Sequence, residues 1–207
     1  MKFLYPLAKR FIAGHDFDSA KLKIQKLINE GYEVSVDYIG EKAQTMSECR
    51  SAYLEYKKII KFFQGQKINI SIKPSQLGLA IHPYLCFIFM KSLSKSAKEH
   101  GHTIRLDMED SKHTEFTKTL ATSLNKEYGN VGVAIQANLF RTQEDLNFLI
   151  EKGVSVRLVK GAYKESPEIA HQDYLDISAA FFHYACELYS NKSNKPAIAT
   201  HDEELLE

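Results

Sequence analysis

The sequence has 207 residues, 44% of them hydrophobic, with 10 Gly and 5 Pro. That is enough chain for one well-buried domain and too ordered a composition for a linker-rich protein. With 27 basic against 26 acidic side chains and a formal net charge of +1, no global field points to nucleic acid or to an anionic membrane, so charge chemistry must be local.

The three cysteines, Cys49, Cys86 and Cys186, are odd in number, far apart and set in apolar helical patterns. That pattern suits reduced packing residues in a cytoplasmic protein, and it offers neither a disulfide framework nor zinc spacing. No stretch reaches the roughly 18 apolar residues of a membrane span. The start, Met1-Lys-Phe-Leu-Tyr-Pro6, lacks the apolar core of a signal peptide, so the chain is expected inside the cell.

In chain order, residues 16–30 carry Ala20, Ile24, Leu27 and Ile28 at helical spacing, with Asp16 or Asp18 to cap the start and Gly31 to end it. Residues 33–39 have strand composition. Thr45 and Glu48 form a capping box ahead of a helix whose apolar face is Met46, Cys49, Tyr53, Tyr56, Ile60 and Phe63. The unit then repeats. Residues 68–73 read as a strand and 74–78 as an irregular loop, followed by a helix carrying Leu85, Ile88, Phe89, Leu93 and Ala97.

A third strand spans 103–107, with a loop at 108–111 and a helix holding Phe116, Leu120 and Leu124. The fourth spans 131–136, before a helix capped by Thr142 with Leu146, Leu149 and Ile150 inward. The fifth, 154–159, is β-branched and apolar except for Ser155 and Arg157, as expected of a parallel strand covered on both faces. Ser166-Pro167 is expected to open a helix lined by Tyr174, Ile177, Phe181, Tyr184 and Leu188, and 195–200 is the sixth strand.

Alternating strands and helices with short connections imply a parallel sheet, either open and doubly wound or curled into a barrel. Lys73, Asp107, Gln136, Arg157, and Thr200 with His201 all fall at or near the C-terminal end of a strand. In a barrel those ends converge on one mouth, whereas an open sheet spreads them along an edge. The expectation is therefore an α/β fold of the (βα)8 TIM-barrel type, incomplete, with six βα units plus an N-terminal helix in one domain, 1–207. No dinucleotide or P-loop glycine fingerprint occurs.

A cation on a buried strand needs a partner, so Arg157 addresses either a ligand or a carboxylate in a structural ion pair. Lys73 and Asp107 carry the same two readings. The mouth holds no cluster of metal ligands and no nucleophile elbow. What remains can orient a small anion and a larger cofactor. Arg157 and Gln136 suit the polar edge of a flat heterocycle, while Lys160 and the backbone around Gly161 suit a phosphate. A different chemistry, a barrel lyase or aldolase, would use Lys73 as an amine nucleophile.

Five motifs then occur in order: Ser71-Ile-Lys-Pro-Ser-Gln-Leu-Gly78, Arg105-Leu-Asp-Met-Glu-Asp-Ser111, Gly132-Val-Ala-Ile-Gln-Ala-Asn-Leu-Phe-Arg-Thr142, Arg157-Leu-Val-Lys-Gly-Ala-Tyr163 and Ala199-Thr-His-Asp202. Through them the chain resembles proline dehydrogenase, the flavin-dependent barrel enzyme, in its monofunctional form, from about Phe11 onward. The resemblance implies oxidation of L-proline to 1-pyrroline-5-carboxylate in proline catabolism, with electrons passed to a quinone and so a peripheral membrane contact. It implies Asp107 and Arg157 as catalytic residues, and Lys73, Asp107 and Tyr163 at the substrate. Met108, Gln136, Arg157, Lys160, Gly161, Ala162, Thr200 and His201 would contact flavin adenine dinucleotide (FAD).

Two departures stand out. Asn138 occupies a position where the family commonly has tyrosine. Six βα units also leave two strands of an eight-stranded barrel of about 250 residues unaccounted for, and nothing after His201 matches the family's paired arginine for the proline carboxylate. The expectation is a barrel domain lacking the last strands and final helix. Its turnover would then depend on a homo-oligomer or a complementing chain, or else it is a flavin-binding remnant.

Overall fold

The computed structural model describes residues 12–40, 42–191 and 195–206; the signal-peptide reading of Met1 to Pro6 lies outside them. The regular elements are α1 (Phe17–Asn29), β1 (Ser35–Asp37), α2 (Met46–Phe62), β2 (Asn69–Ile72), α3 (Pro83–Glu99), β3 (Thr103–Leu106), α4 (Thr114–Tyr128), β4 (Val131–Gln136), α5 (Thr142–Glu151), β5 (Val156–Val159), α6 (Tyr174–Ser190) and β6 (Ala197–Ala199). Local chemistry sets several starts. Asp16 accepts from the Ser19 amide at α1, and Thr45 and Glu48 form the expected reciprocal box at α2.

The six strands form one parallel sheet in the order β1-β2-β3-β4-β5-β6. A doubly wound sheet reverses its order at a switch point; here each strand pairs with its successor. The sheet also curls. Arg157 on β5 donates from Nη2 to Ser71 Oγ on β2 at 3.0 Å. Three strand spacings of about 4.8 Å separate those strands on a flat sheet, further than one side chain reaches. The fold is a half-barrel with helices outside.

Register explains the curl, because residues opposite each other point to the same side. One side carries Val36-Ile70-Ile104-Val131, Ile72-Leu106-Val133-Val156 and Ile135-Leu158-Ile198. These join Ile24, Tyr56, Ile60, Met90, Leu93, Leu120, Leu146 and Phe181 from the helices in one apolar core. The other side carries Ser35-Asn69-Thr103, Asp37-Ser71-Arg105-Gly132, Ala134-Arg157-Ala197 and Gln136-Val159-Ala199. Polar groups on that concave side bond one another, as in Ser35 Oγ to Asn69 Oδ1 at 2.8 Å and Asn69 Nδ2 to Thr103 Oγ1 at 3.0 Å.

Several local expectations change. β5 is not covered equally on both faces: Val156 and Leu158 are buried, while Arg157 and Val159 are half-buried because they line an open hollow. Thr142 does not cap α5; it is the first helical residue and donates to the Gln136 carbonyl at 2.5 Å. Ser166-Pro167 sits in a turn, and α6 is capped instead by Asp173, which accepts from the Leu175 and Asp176 amides. The segment after Lys73 is a 3-10 turn, Pro74–Leu77, rather than an irregular loop. Met46 and Ile88 point outward at 56% and 42% exposure, with Ala52, Ile59, Cys86 and Met90 taking the inward positions. Cys49 and Cys86 are packed as expected, burial pushing the Cys86 thiol up to about 12, whereas Cys186 is exposed. Among the described residues no helix is long and apolar enough to cross a membrane.

Leu106 is fully buried where β3 meets the helices. Leu106→Ala should lower unfolding free energy by about 2–5 kcal/mol, the range for a leucine deleted from a close-packed core; urea unfolding at neutral pH measures it.

Candidate active site

Because strands that pair in order present their C-terminal ends side by side, the loops after them form a rim. Each loop is tied to a neighbour. Ala43 donates its amide to the Ser75 carbonyl at 3.2 Å, and Gln76 Nε2 donates to the Tyr38 carbonyl at 2.9 Å, joining the β1 and β2 loops. Glu109 accepts from the Ser75 amide at 2.8 Å and hydroxyl at 2.5 Å, joining β2 and β3. Glu165 accepts from the Ser111 amide and hydroxyl, both at 2.7 Å, so the β5 loop reaches back to the β3 loop. Phe140 and His171 exchange backbone bonds with Ile169 and Asn138, joining β4 and β5.

Inside the rim lies a cleft of about 760 Å³, lined by Lys73, Asp107, Met108, Gln136, Arg157, Lys160, Gly161, Ala162, Tyr163, Thr200 and His201 together with Ala134, Val159, Ile198 and Ala199. Every site residue expected from the sequence is on this lining. Glu109, two residues after Asp107, is not on the lining; it turns onto Ser75.

At the centre is Asp107. Its Oδ2 accepts from Lys73 Nζ at 2.9 Å, and its Oδ1 accepts from Ser71 Oγ at 2.6 Å and from Arg157 Nη2. Lys73 also reaches Asp37 Oδ2 on β1 at 2.8 Å. Burial alone would push the Asp107 carboxyl up, but Arg157 and then Lys73 outweigh it, and the group is held below the usual carboxylate range. Burial likewise works against the Lys73 ammonium, yet Asp107 and Asp37 hold it above the ordinary lysine value. A lysine so protonated, bonded to two carboxylates, is a poor amine nucleophile, which counts against the lyase reading.

Further round, Gln136 is 2% exposed and donates from Nε2 to the Glu109 carbonyl at 3.0 Å. Tyr163 stands on the lining with its hydroxyl pKa raised, by burial first and then by Glu109. Gly161 has φ +112°, and a Cβ there would lie 2.2 Å from Asn138 Oδ1, so only glycine fits this turn. The Lys160 ammonium is already engaged, with Asp202 Oδ2 at 2.5 Å, Ser178 Oγ at 2.9 Å and the Tyr174 ring 4.2 Å away. Asp202 and Tyr174 were not foreseen as part of this arrangement.

Two buried polar atoms beside the cleft, Arg157 Nε and Asn138 Oδ1, have no hydrogen-bond partner among the described residues. A buried unsatisfied group costs about 1–3 kcal/mol, so their presence beside a hollow suits a ligand that supplies the missing bonds. Asp37 and Ser71 were also missed as site residues. The available signal was period two: both sit on the inward register of the strand that holds them.

The family model described as proline dehydrogenase matches residues 20–204. The chain belongs to the proline dehydrogenase family. It is 31% identical over 201 residues to proline dehydrogenase 1 of Bacillus subtilis (strain 168), covering 96% of this chain and 66% of that protein. It is 30% identical over 216 residues to the Deinococcus radiodurans proline dehydrogenase, covering 99% of this chain and 68% of that one. The chain thus spans about two thirds of the length of these curated relatives. Among solved structures, proline utilization A from Bdellovibrio bacteriovorus, inactivated by N-propargylglycine, superposes with a TM-score of 0.86 at 22% identity, covering 99% of this chain and 26% of that one. That likeness bears on the fold, and it agrees with the half-barrel.

The ion cluster has a pH signature. Asp107 has a depressed folded pKa, so its stabilisation is present above the unfolded value near pH 4 and is lost as pH falls through the folded value. Asp107→Asn should therefore be less stable than the native chain at pH 7, with the gap narrowing steadily below pH ~4. Urea midpoints taken across that range test it, and a gap independent of pH contradicts it.

Proposed function

We propose that this chain carries the active site of a flavin-dependent proline dehydrogenase, oxidising L-proline to 1-pyrroline-5-carboxylate with FAD. The observation that supports it most is the single cleft on which Lys73, Asp107, Gln136, Arg157 and Lys160 converge in a chain of this family. Its volume lies in the range of small-molecule and cofactor sites. Arg157 Nε, without a partner among the described residues, fits a flat heterocycle above β5. When bound, the flavin supplies a hydride acceptor.

The chain's own groups divide the remaining work. Oxidation removes a hydride from the carbon next to the proline nitrogen and a proton from that nitrogen, which passes to water in the open cleft, leaving a C=N bond. Asp107, held ionised with both oxygens occupied, is not a proton acceptor; it fixes Arg157 and Lys73 in place. Lys73, held protonated, offers its charge to the substrate carboxylate. Arg157 meets the negative charge that arrives with the hydride, a preorganised donor at the point where charge develops. Tyr163 closes the substrate side, and Met108, Gln136, Lys160, Gly161, Ala162, Thr200 and His201 bound the cofactor side. The family resemblance extends the reading to a quinone as final acceptor.

The test is anaerobic. FAD is titrated into the purified chain, then L-proline is added. The reading predicts saturable FAD binding and bleaching of the bound flavin by L-proline, with Arg157→Met slowing the bleaching by ~10²–10³-fold, as when one electrostatic donor is removed. A chain that binds no FAD, or bound FAD that L-proline leaves oxidised, contradicts it.

A further inference from the structure

Arg105 is a buried cation that the scheme above does not use. It lies on β3 two residues before Asp107, in register with Ser71 and Gly132 on the concave side, and is 8% exposed. Its guanidinium crosses β4 at Gly132, where a Cβ would come within 3.0 Å of Nη1, and donates from Nη1 to the Ser155 carbonyl at 2.9 Å. The passage is built for it. That bond is to a neutral carbonyl, and Asp107 attracts the Arg105 charge only from a distance, because both its oxygens are bonded to Arg157, Ser71 and Lys73. Glu109 turns the other way, onto Ser75. Burial, then the neighbouring Arg157, lower the Arg105 pKa to about 10, still protonated at neutral pH.

We propose that Arg105 is a positioning residue of the candidate active site, a fixed cation behind Arg157 and Asp107 that favours whichever bound state of the cleft carries the extra negative charge. Resting on the flavin reading above, that state is the flavin after it has received a hydride, which brings two electrons and one proton and so one negative charge. A positive charge fixed in a low-dielectric wall acts on that change more strongly than a solvated one and needs no rearrangement when it occurs.

The competing role is a strap, a hydrogen bond that holds β3 to β5 whatever its charge. Three variants separate the two: Arg105→Lys keeps the charge, Arg105→Gln keeps a donor without it, and Arg105→Met removes both. With FAD bound, the two-electron midpoint potential is read by equilibration with reference dyes. Arg105→Gln and Arg105→Met should each cut the preference for reduced over oxidised flavin roughly tenfold, which is ~30 mV more negative for a two-electron couple. Arg105→Lys should stay within a few-fold of the native chain. An unchanged potential in Arg105→Gln, or a shift in Arg105→Lys as large as in Arg105→Met, overturns the proposal.

If the native chain takes up no FAD, the reading under Proposed function fails, and the flavin-free protein judges Arg105 separately. A carbon-13 titration of the Asp107 carboxyl, faced by Ser71, Lys73 and Arg157 in every variant and by Asp37 through Lys73, should show a higher midpoint in Arg105→Gln and none in Arg105→Lys. No rise in Arg105→Gln overturns the proposal there too.

Discussion

A carboxylate placed inside a protein has to recover its hydration from donors, and Asp107 recovers it from groups on different strands. Ser71 comes from β2, Lys73 from its end, and Arg157 from β5, two strands beyond the one that leads to Asp107. Those donors meet only if the sheet bends toward the side they share. The apolar rows on the opposite side require the same bend, because helices cover that side and exclude water from it. Hydrophobic burial outside and ion pairing inside thus select one curvature. The cleft is the space that this curvature encloses, and its charged lining is what holds the curvature in place.

The same arrangement fixes protonation. Asp107 remains ionised beside Arg157 and Lys73, and Lys73 remains protonated beside Asp107 and Asp37, in a region short of water. Neither group is poised to exchange protons near neutrality, so both serve as fixed charges that orient a bound molecule. Lys160 is a different case. Its pairing with Asp202 and Tyr174 joins the tip of β5 to the segment after β6 and to α6. The ammonium expected to meet a phosphate is thus already paired with a carboxylate of the chain.

The strand and helix order was legible in the sequence because the helical faces repeat at 3.6 and the strands are short apolar runs between breakers. The mouth was legible because polar residues, Lys73, Asp107, Gln136, Arg157, Thr200 and His201, punctuated the ends of those runs; Met108, Ala162 and Tyr163, which the family resemblance added, line the same cleft. What escaped was set by longer-range geometry. Thr142 and Ser166 have the chemistry of helix caps, but Thr142 spends its hydroxyl on the Gln136 carbonyl and the loop after Ser166 runs on to Asp173 before a helix begins. Asp37 alternates with buried Val36 on a three-residue strand, but nothing local marked that side as part of a cleft until its register with Ser71 was known. Asp202 was visible but carried no sign that it would turn to Lys160, since that pairing spans 42 residues.

The central claim, that polar groups on well-separated strands meet across a curled sheet, is tested most directly by a double-mutant cycle on Ser71→Ala and Arg157→Met, read by urea unfolding. A half-barrel predicts a coupling energy of about 0.5–3 kcal/mol, the range for residues that share one hydrogen-bond network. Additivity within about 0.3–0.5 kcal/mol, as for sites that do not touch, would contradict it.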